Sequence, residues 1–157
     1  MSNNTLSLTS LECSDLINWI AYNKHGVALN KTQMQKLLYM AYGTYLSTTD
    51  NKLFTDDSPK AWPFGPVFPR VNKYFSPGVI PDVTCLPIYK FEADRIAFNI
   101  INDVVKKFHN KSAMSLSEWS HQEGGPWHKT VYEEGEAKWN KEISDDLIKN
   151  YFPKYEQ

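Results

Sequence analysis

Residues 36–75 read KLLYMAYGTYLSTTDNKLFTDDSPKAWPFGPVFPRVNKYF, and this stretch decides the fold. It begins as an amphipathic helical pattern, crosses a polar loop and continues as AWPFGPVFP over residues 61–69. Proline fixes φ and has no N–H, so this last segment is not expected inside a helix or a central strand. Its large apolar side chains cost roughly 1.5–3 kcal/mol each to leave in water. We therefore expect a rigid, irregular loop pinned to a core, with helices arranged around it.

Helical spacing is clearest directly before and inside this stretch. The apolar positions that recur there at i, i+3 and i+4 are Met34, Leu37, Leu38, Ala41, Tyr42 and Tyr45. This pattern predicts a helix from about residue 31 to Leu46 with one buried face. Further helices are predicted at residues 10–24 and 92–109, after a cap at Ser115, at residues 130–134, and from Ser144 to a point before Pro153.

Residues 79–90 carry two prolines and alternate only weakly, which is typical of a connection rather than a helix. The sequence therefore predicts a mainly α, single compact helical domain over residues 1–157, built round a Pro/aromatic loop. A short β-hairpin or edge strand is expected near residues 80–92. Residues 1–9 are expected to be a frayed lead-in, and residues 139–157 a C-terminal helix and tail.

The bulk composition restricts the classes of partner. The net charge is −1 and 14% of the residues are aromatic, so large flat side chains should dominate the packing. The charge balance argues against nucleic acid as a partner, although it leaves a local basic patch open. No signal peptide or membrane-length apolar run is visible, and Cys13 and Cys85 fit buried, reduced thiols. A cytoplasmic protein with no membrane partner is therefore expected.

A helix-turn-helix is the nucleic-acid motif that the chain resembles most in outline, since Gly26 separates two predicted helices. The turn is too long for that motif, and the second helix is aromatic and apolar where a recognition helix offers Arg, Asn or Gln. DNA binding is therefore disfavoured.

A histidine and a carboxylate lie close together in the sequence at one place, His121 and Glu123. The H-x-E pair of zinc deaminases needs a later P-C-x-x-C, and no cysteine follows residue 85. The pair therefore favours a structural or partner-binding role, while a small hydrolase that uses it remains an alternative. Gly124 and Gly125 more plausibly allow a tight turn that buries Trp127 than a phosphate site. We expect no enzyme, catalytic residue, metal or cofactor.

The Pro/aromatic loop itself has two interpretations. Its aromatic side chains can be core, or part of the loop can lie beside a groove that receives another chain. Rigid loops with aromatic anchors lose little entropy on binding, which favours them at interfaces. The candidate partner-binding residues are Trp62, Phe64, Pro66, Phe68, His121, Glu123 and Trp127.

Taken in order, several motifs resemble one known family. They are DLINWI at residues 15–20, TQMQKLLYMAY at 32–42, Phe54, AWPFGPV at 61–67, LSEWSH at 116–121 and PW at 126–127. The chain resembles the Panacea domain, a prophage-associated family that includes SocA-type proteins, over about residues 11–138. Ser120 stands where the family has threonine before the late histidine, which keeps the hydroxyl.

The resemblance implies an antitoxin that neutralises a cognate protein toxin, encoded beside it, by direct binding. An alternative that it also implies is a proteolytic adaptor that delivers a toxin or other client to an ATP-dependent protease. The motifs do not say which residues contact the toxin, because the same positions can build the shared fold. The oligomeric state is not predicted.

Overall fold

The computed structural model describes residues 6–156, so most of the predicted lead-in lies outside the described residues. The helices are α1 (Ser10–His25), α2 (Lys31–Thr49), α3 (Pro69–Tyr74), α4 (Ile88–Ala93), α5 (Arg95–Phe108), α6 (Ala113–Ser120), α7 (Pro126–Val131) and α8 (Asp145–Tyr151). The strands are β1 (Lys60–Trp62), β2 (Gly65–Val67) and β3 (Lys141–Glu142), which form an antiparallel sheet in the order β2-β1-β3. The predicted mainly α fold with a short β-hairpin is confirmed.

Helix α2 is the centre of the molecule. It contacts α1, α3, α5, α6, α8 and β2. Every residue from Met34 to Gly43 is buried, so the prediction of a single buried face was wrong. A helix enclosed on all sides is expected to be apolar all round, yet Gln35 and Lys36 are among its buried residues. Both polar side chains have partners in the β1–β2 hairpin.

Aromatic trios pack on two sides of α2, as the composition predicts. Tyr42, Phe54 and Phe68 have ring centroids 5.2–5.4 Å apart. The rings of Tyr39, Trp119 and Phe152 lie 5.3–6.0 Å apart. These tilted and edge-on pairs tie the loop before β1, the start of α3, α6 and the chain after α8 to the one central helix.

Helix α2 also continues past the predicted end at Leu46, to Thr49. Residues 47–49 look like a turn because their hydroxyls compete for backbone groups. Here those hydroxyls bond backwards within the helix, from Thr48 to the Thr44 carbonyl (2.6 Å) and from Thr49 to the Tyr45 carbonyl (2.9 Å). The helix therefore ends one turn later, at Asp50, whose backbone is left-handed.

The strands are not where the sequence placed them. Residues 80–92 contain a single 3-10 turn at Val83–Cys85 and most of α4, with Pro87 at the N-cap of that helix. Proline is well tolerated where a helix begins, so it marks a start here rather than an extended edge. Asp94 then separates α4 from α5 and caps α5 by accepting a bond from the Ala97 amide (3.1 Å).

The predicted irregular loop instead forms the hairpin, and its prolines avoid the central strand. Strand β1 is central and contains none. Pro63 lies in the turn, Pro66 lies on the edge strand β2, and Pro69 is the first residue of α3. The rule about proline is therefore obeyed, but the expectation that residues 61–62 avoid a central strand was wrong.

Smaller corrections concern α7 and one cysteine. Helix α7 begins at Pro126 and ends at Val131, earlier than the predicted 130–134, because proline suits the first helical position. Both cysteines are free, and burial raises the pKa of the Cys13 thiol. Cys85 is exposed, contrary to the prediction. No helix within residues 6–156 has the length and apolar character needed to cross a membrane.

Candidate functional site

The β1–β2 hairpin is held by side chains that donate to a series of its carbonyls; we call residues 60–68 the clamped hairpin. The donors lie on α2, α6 and α7, and one is His121, which directly follows α6. The bonds are Trp127 Nε1 to Trp62 O (2.8 Å), His121 Nε2 to Pro63 O (2.8 Å), Ser117 Oγ to Phe64 O (2.8 Å), Lys36 Nζ to Pro66 O (3.2 Å) and Gln35 Nε2 to Phe68 O (3.2 Å). Side chains of the surrounding helices thus bind five backbone carbonyls of the hairpin and fix its position.

Gln35 holds the end of the clamped hairpin by two bonds to one residue. Its amide donates to the Phe68 carbonyl, and its side-chain oxygen accepts from the Phe68 N–H at 2.7 Å. Residue and partner are both buried. A side-chain amide can replace a neighbouring strand in this way because it carries one donor group and one acceptor group.

Lys36 is the most deeply buried charged side chain at the site, with 1% of its surface exposed. Burial lowers the pKa of its ammonium from 10.5 to about 8. The Pro66 carbonyl, 3.2 Å away, accepts one of its three N–H bonds. Lys36, the first residue of the KLLY motif, therefore links α2 to the hairpin through the Pro66 carbonyl.

Gly65 allows this close approach. Its φ is +115°, a conformation that favours glycine. A Cβ at this position would lie 2.5 Å from Ser120 Oγ and 2.6 Å from Lys36 Cε. The hairpin turn is therefore seated directly on α2 and α6.

The tip of the clamped hairpin is exposed although its backbone is fixed. The Phe64 side chain is 74% exposed. Met114, which is 73% exposed, lies one helical turn before Ser117, the residue that binds the Phe64 carbonyl. The tip thus presents apolar surface beside α6.

Carboxylates flank this tip. Glu118 follows Ser117, and Glu123 lies two residues after His121. Both are exposed, and neither forms an ion pair with any residue in the described part of the chain. We call the face formed by Trp62, Phe64, Met114, Glu118, His121 and Glu123 the hairpin surface.

The predicted partner-binding residues divide into two groups. Pro66 and Phe68 are buried in the clamped hairpin, and Trp127 is buried on α7, from which it donates to the hairpin. Trp62 and His121 are partly exposed, and Phe64 and Glu123 are fully exposed. Sequence reasoning missed Met114 and Glu118, because their place depends on the bond between Ser117 and Phe64, which are 53 positions apart.

His121 is placed to hold backbone. Nδ1 faces the Ser117 carbonyl, Nε2 faces the Pro63 carbonyl, and the ring lies 3.9 Å from the Trp127 ring between centroids. Neither nitrogen points towards open space where a substrate or metal would sit. The structure describes no hydrogen bond from His121 to Glu123, so the geometry offers the proposed acid–base pair no contact.

A groove of about 610 Å³ lies elsewhere, between α2, α5, α6 and the C-terminal tail. Its walls include Met40, Val104, Trp119, Phe152 and Tyr155. None of the seven predicted partner-binding residues lines it.

Within residues 6–156, no three His, Cys, Asp or Glu side chains are grouped so that they could hold a metal ion. Comparison of the chain with protein-family models, curated proteins and solved structures finds no match.

Proposed function

We propose that this protein is an antitoxin of the Panacea type, which neutralises a cognate protein toxin by direct binding. The motif order described above motivates the family, and one structural observation supports a binding role. Phe64 is a large aromatic side chain, 74% exposed, on a backbone that side chains from α2, α6 and α7 hold in place.

This combination favours protein recognition for an energetic reason. Exposing a phenylalanine costs free energy unless a partner covers it. A loop that is already ordered loses little further entropy on binding, so more of the contact energy becomes affinity. Aromatic anchors at the centre of an interface commonly carry most of its binding energy.

The hairpin surface also defines the chemistry of the partner. It presents Phe64 and Met114 together with Glu118 and Glu123, whose carboxylates form no ion pair within residues 6–156. The complementary toxin surface is an apolar pocket with Lys or Arg at its rim, since such charges set orientation and association rate.

The test is expression of the adjacent open reading frame with and without this protein. Growth inhibition by the neighbour alone, rescue on co-expression, and co-elution of the two chains in size-exclusion chromatography are expected. A neighbour that is not toxic, or that is toxic but not rescued, would contradict the proposal.

Rescue without a stable complex would favour the adaptor alternative. In that case the amount of toxin should fall when this protein is present, and the fall should require an ATP-dependent protease. A direct-binding antitoxin predicts an unchanged amount of toxin. Measuring the toxin by immunoblot in the same cells separates the two outcomes.

A further inference from the structure

The end of the helical bundle where α1, α3 and α5 terminate is strongly basic. Its exposed lysines are Lys24, Lys31, Lys73, Lys106 and Lys111. None of the five forms an ion pair with a carboxylate of the described residues. We call this group, with the exposed Tyr22 and Tyr74 and the partly exposed His25, the basic end.

Contacts between the helix ends show that these residues share one region. The rings of His25 and His109 stack with centroids 4.1 Å apart and join the ends of α1 and α5. Lys24 Nζ donates to Asn102 Oδ1 on α5 at 3.3 Å.

Two further bonds bring in α2 and α3. Lys31 Nζ donates to the Asn72 carbonyl at 3.0 Å, which joins the start of α2 to the end of α3. Gln33 Nε2 donates to the Lys111 carbonyl at 3.0 Å. The basic end is therefore a single surface.

The segments that form the basic end contain a single acidic residue. The sequence has no Asp or Glu in residues 16–49 or 58–81, and Asp103 is the single carboxylate in residues 95–117. Asp103 is paired with Lys107 (3.0 Å). Nine of the 18 acidic residues lie in residues 118–157. Although the net charge is only −1, half of the acidic residues thus lie in residues 118–157, away from the segments that form the basic end.

Helix dipoles do not account for this excess. Lysines at helix C-termini balance a partial charge of about −0.5 per helix, or about −1.5 for α1, α3 and α5 together. Five lysines exceed that several-fold, and Lys31 lies at the N-terminus of α2, where a dipole disfavours a cation.

We propose that the basic end binds single-stranded nucleic acid through its phosphates, with unpaired bases stacking on the tyrosines. Lysines supply point charges for phosphate without base readout. Tyr22 is 49% exposed and offers a π-face. Tyr74 is 55% exposed, and Lys73 Nζ and the Arg70 guanidinium already lie over its ring, 5.3 and 5.7 Å from the centroid, so a base must stack on the part of the ring that these cations leave open. Only unpaired bases can use such a face, which selects a single strand over a duplex. This surface shares no residue with the hairpin surface, and the proposal does not require the antitoxin function.

The test is fluorescence anisotropy with labelled 20-nucleotide DNA and RNA strands of mixed sequence, and with the matching duplex. Single strands should bind more tightly than the duplex. If three to five phosphates are neutralised, raising salt from 50 to 200 mM should weaken binding about 20- to 100-fold. Absence of binding up to 100 μM protein at 50 mM salt, or equal or tighter binding to the duplex, would overturn the proposal.

Two triple variants of equal charge locate the site. Lys73→Gln, Lys106→Gln and Lys111→Gln together should weaken binding about tenfold or more and flatten the salt dependence. Lys129→Gln, Lys138→Gln and Lys154→Gln together change the net charge by the same amount, but within the acidic residues 118–157. This control should change binding less than twofold. Equal losses would overturn the assignment to the basic end.

Two further measurements test whether base stacking contributes beyond charge and whether the surface prefers nucleic acid to other polyanions. Tyr22→Leu with Tyr74→Leu should weaken single-strand binding about fivefold or more with an unchanged salt slope. Polyglutamate and vesicles rich in phosphatidylserine should bind more weakly than the strands. Tighter binding of either would overturn the proposal, and unaltered thermal melts establish that each variant is folded.

Discussion

Gly65 is the residue at which the clamped hairpin comes closest to α2 and α6. A Gly65→Ala side chain would meet Ser120 Oγ and Lys36 Cε at 2.5 and 2.6 Å, at a φ of +115°. Overpacking of this kind costs about 1–3 kcal/mol, and the left-handed backbone adds strain. We expect the free energy of unfolding, measured in urea, to fall by about 2 kcal/mol or more.

Gly124→Ala is the matched control for crowding. Its φ is +84°, but a Cβ there would have no neighbour within 4 Å. We expect a loss of about 1 kcal/mol from backbone strain alone. If the two substitutions cost the same, close packing at Gly65 is not what makes glycine necessary.

Lys36 gives the stability a pH dependence. The pKa of its ammonium is about 8 in the folded protein and 10.5 ordinarily. Below pH 8 the folded protein buries a charged Lys36 ammonium. Between pH 8 and 10.5 Lys36 is neutral in the folded protein but still charged in the unfolded chain. Stability conferred by residue 36 should therefore rise between pH 8 and 10.5, by an amount on the order of 3 kcal/mol.

Comparison with Lys36→Met isolates this effect. Burial also raises the pKa of Cys13 and of the Tyr39 hydroxyl, and these groups destabilise the fold as pH rises through the alkaline range. They are present in both proteins, so they cancel in the difference of unfolding free energies. A difference that does not vary with pH would show that the Lys36 ammonium keeps its ordinary pKa in the folded protein.

At the scale of elements, the hairpin depends on α2 because Gln35 accepts from the Phe68 N–H and also donates to the Phe68 carbonyl. Gln35→Leu should leave the buried Phe68 N–H unpaired, at about 1–3 kcal/mol, whereas the carbonyl keeps its bond from the Asn72 N–H (2.9 Å). Hydrogen exchange of the Phe68 amide should accelerate accordingly. Gln122→Leu, at an exposed residue that binds only the Tyr151 hydroxyl at 2.8 Å, should leave that exchange rate unchanged.

The elements that were predictable are those whose signal is local. The periodicity of α2 and α5 and the cap at Ser144 can be read from neighbouring residues. The hairpin could not, because its strands are three residues long and its bonds join positions 30–65 apart. In residues 80–92, Pro87 precedes a helix, whereas proline within a weakly alternating segment predicts an edge strand.

The candidate site was predictable in part for the same reason. The Pro/aromatic pattern predicts a rigid loop but leaves open which of its side chains are core. Exposure of Phe64 and burial of Phe68 and Pro66 depend on packing against α2, which sequence spacing does not reveal. The periodicity of α2 does not distinguish Gln35 and Lys36 from exposed polar positions, although both are buried. Their side-chain amide and ammonium groups find partners only because the hairpin packs against α2 at this point.

At the scale of the whole molecule, two surfaces have opposite character and share no residue. The hairpin surface is apolar with acidic residues, and the basic end carries five lysines that form no ion pair within residues 6–156. A toxin bound through Phe64 should therefore leave most of the basic end free, although Lys111 lies only three residues before Met114. We expect single-stranded nucleic acid to bind the antitoxin–toxin complex as it binds the antitoxin alone.

The most direct test of the central claim is the affinity of Phe64→Ala for the purified product of the adjacent gene, measured by titration calorimetry. The side chain is exposed, so the variant should melt like the wild type, while loss of an aromatic anchor should weaken binding by about 2 kcal/mol or more, roughly 30-fold. Tyr89→Ala, at a 59% exposed residue of α4, should bind normally. Unchanged affinity in Phe64→Ala would contradict the assignment of the hairpin surface.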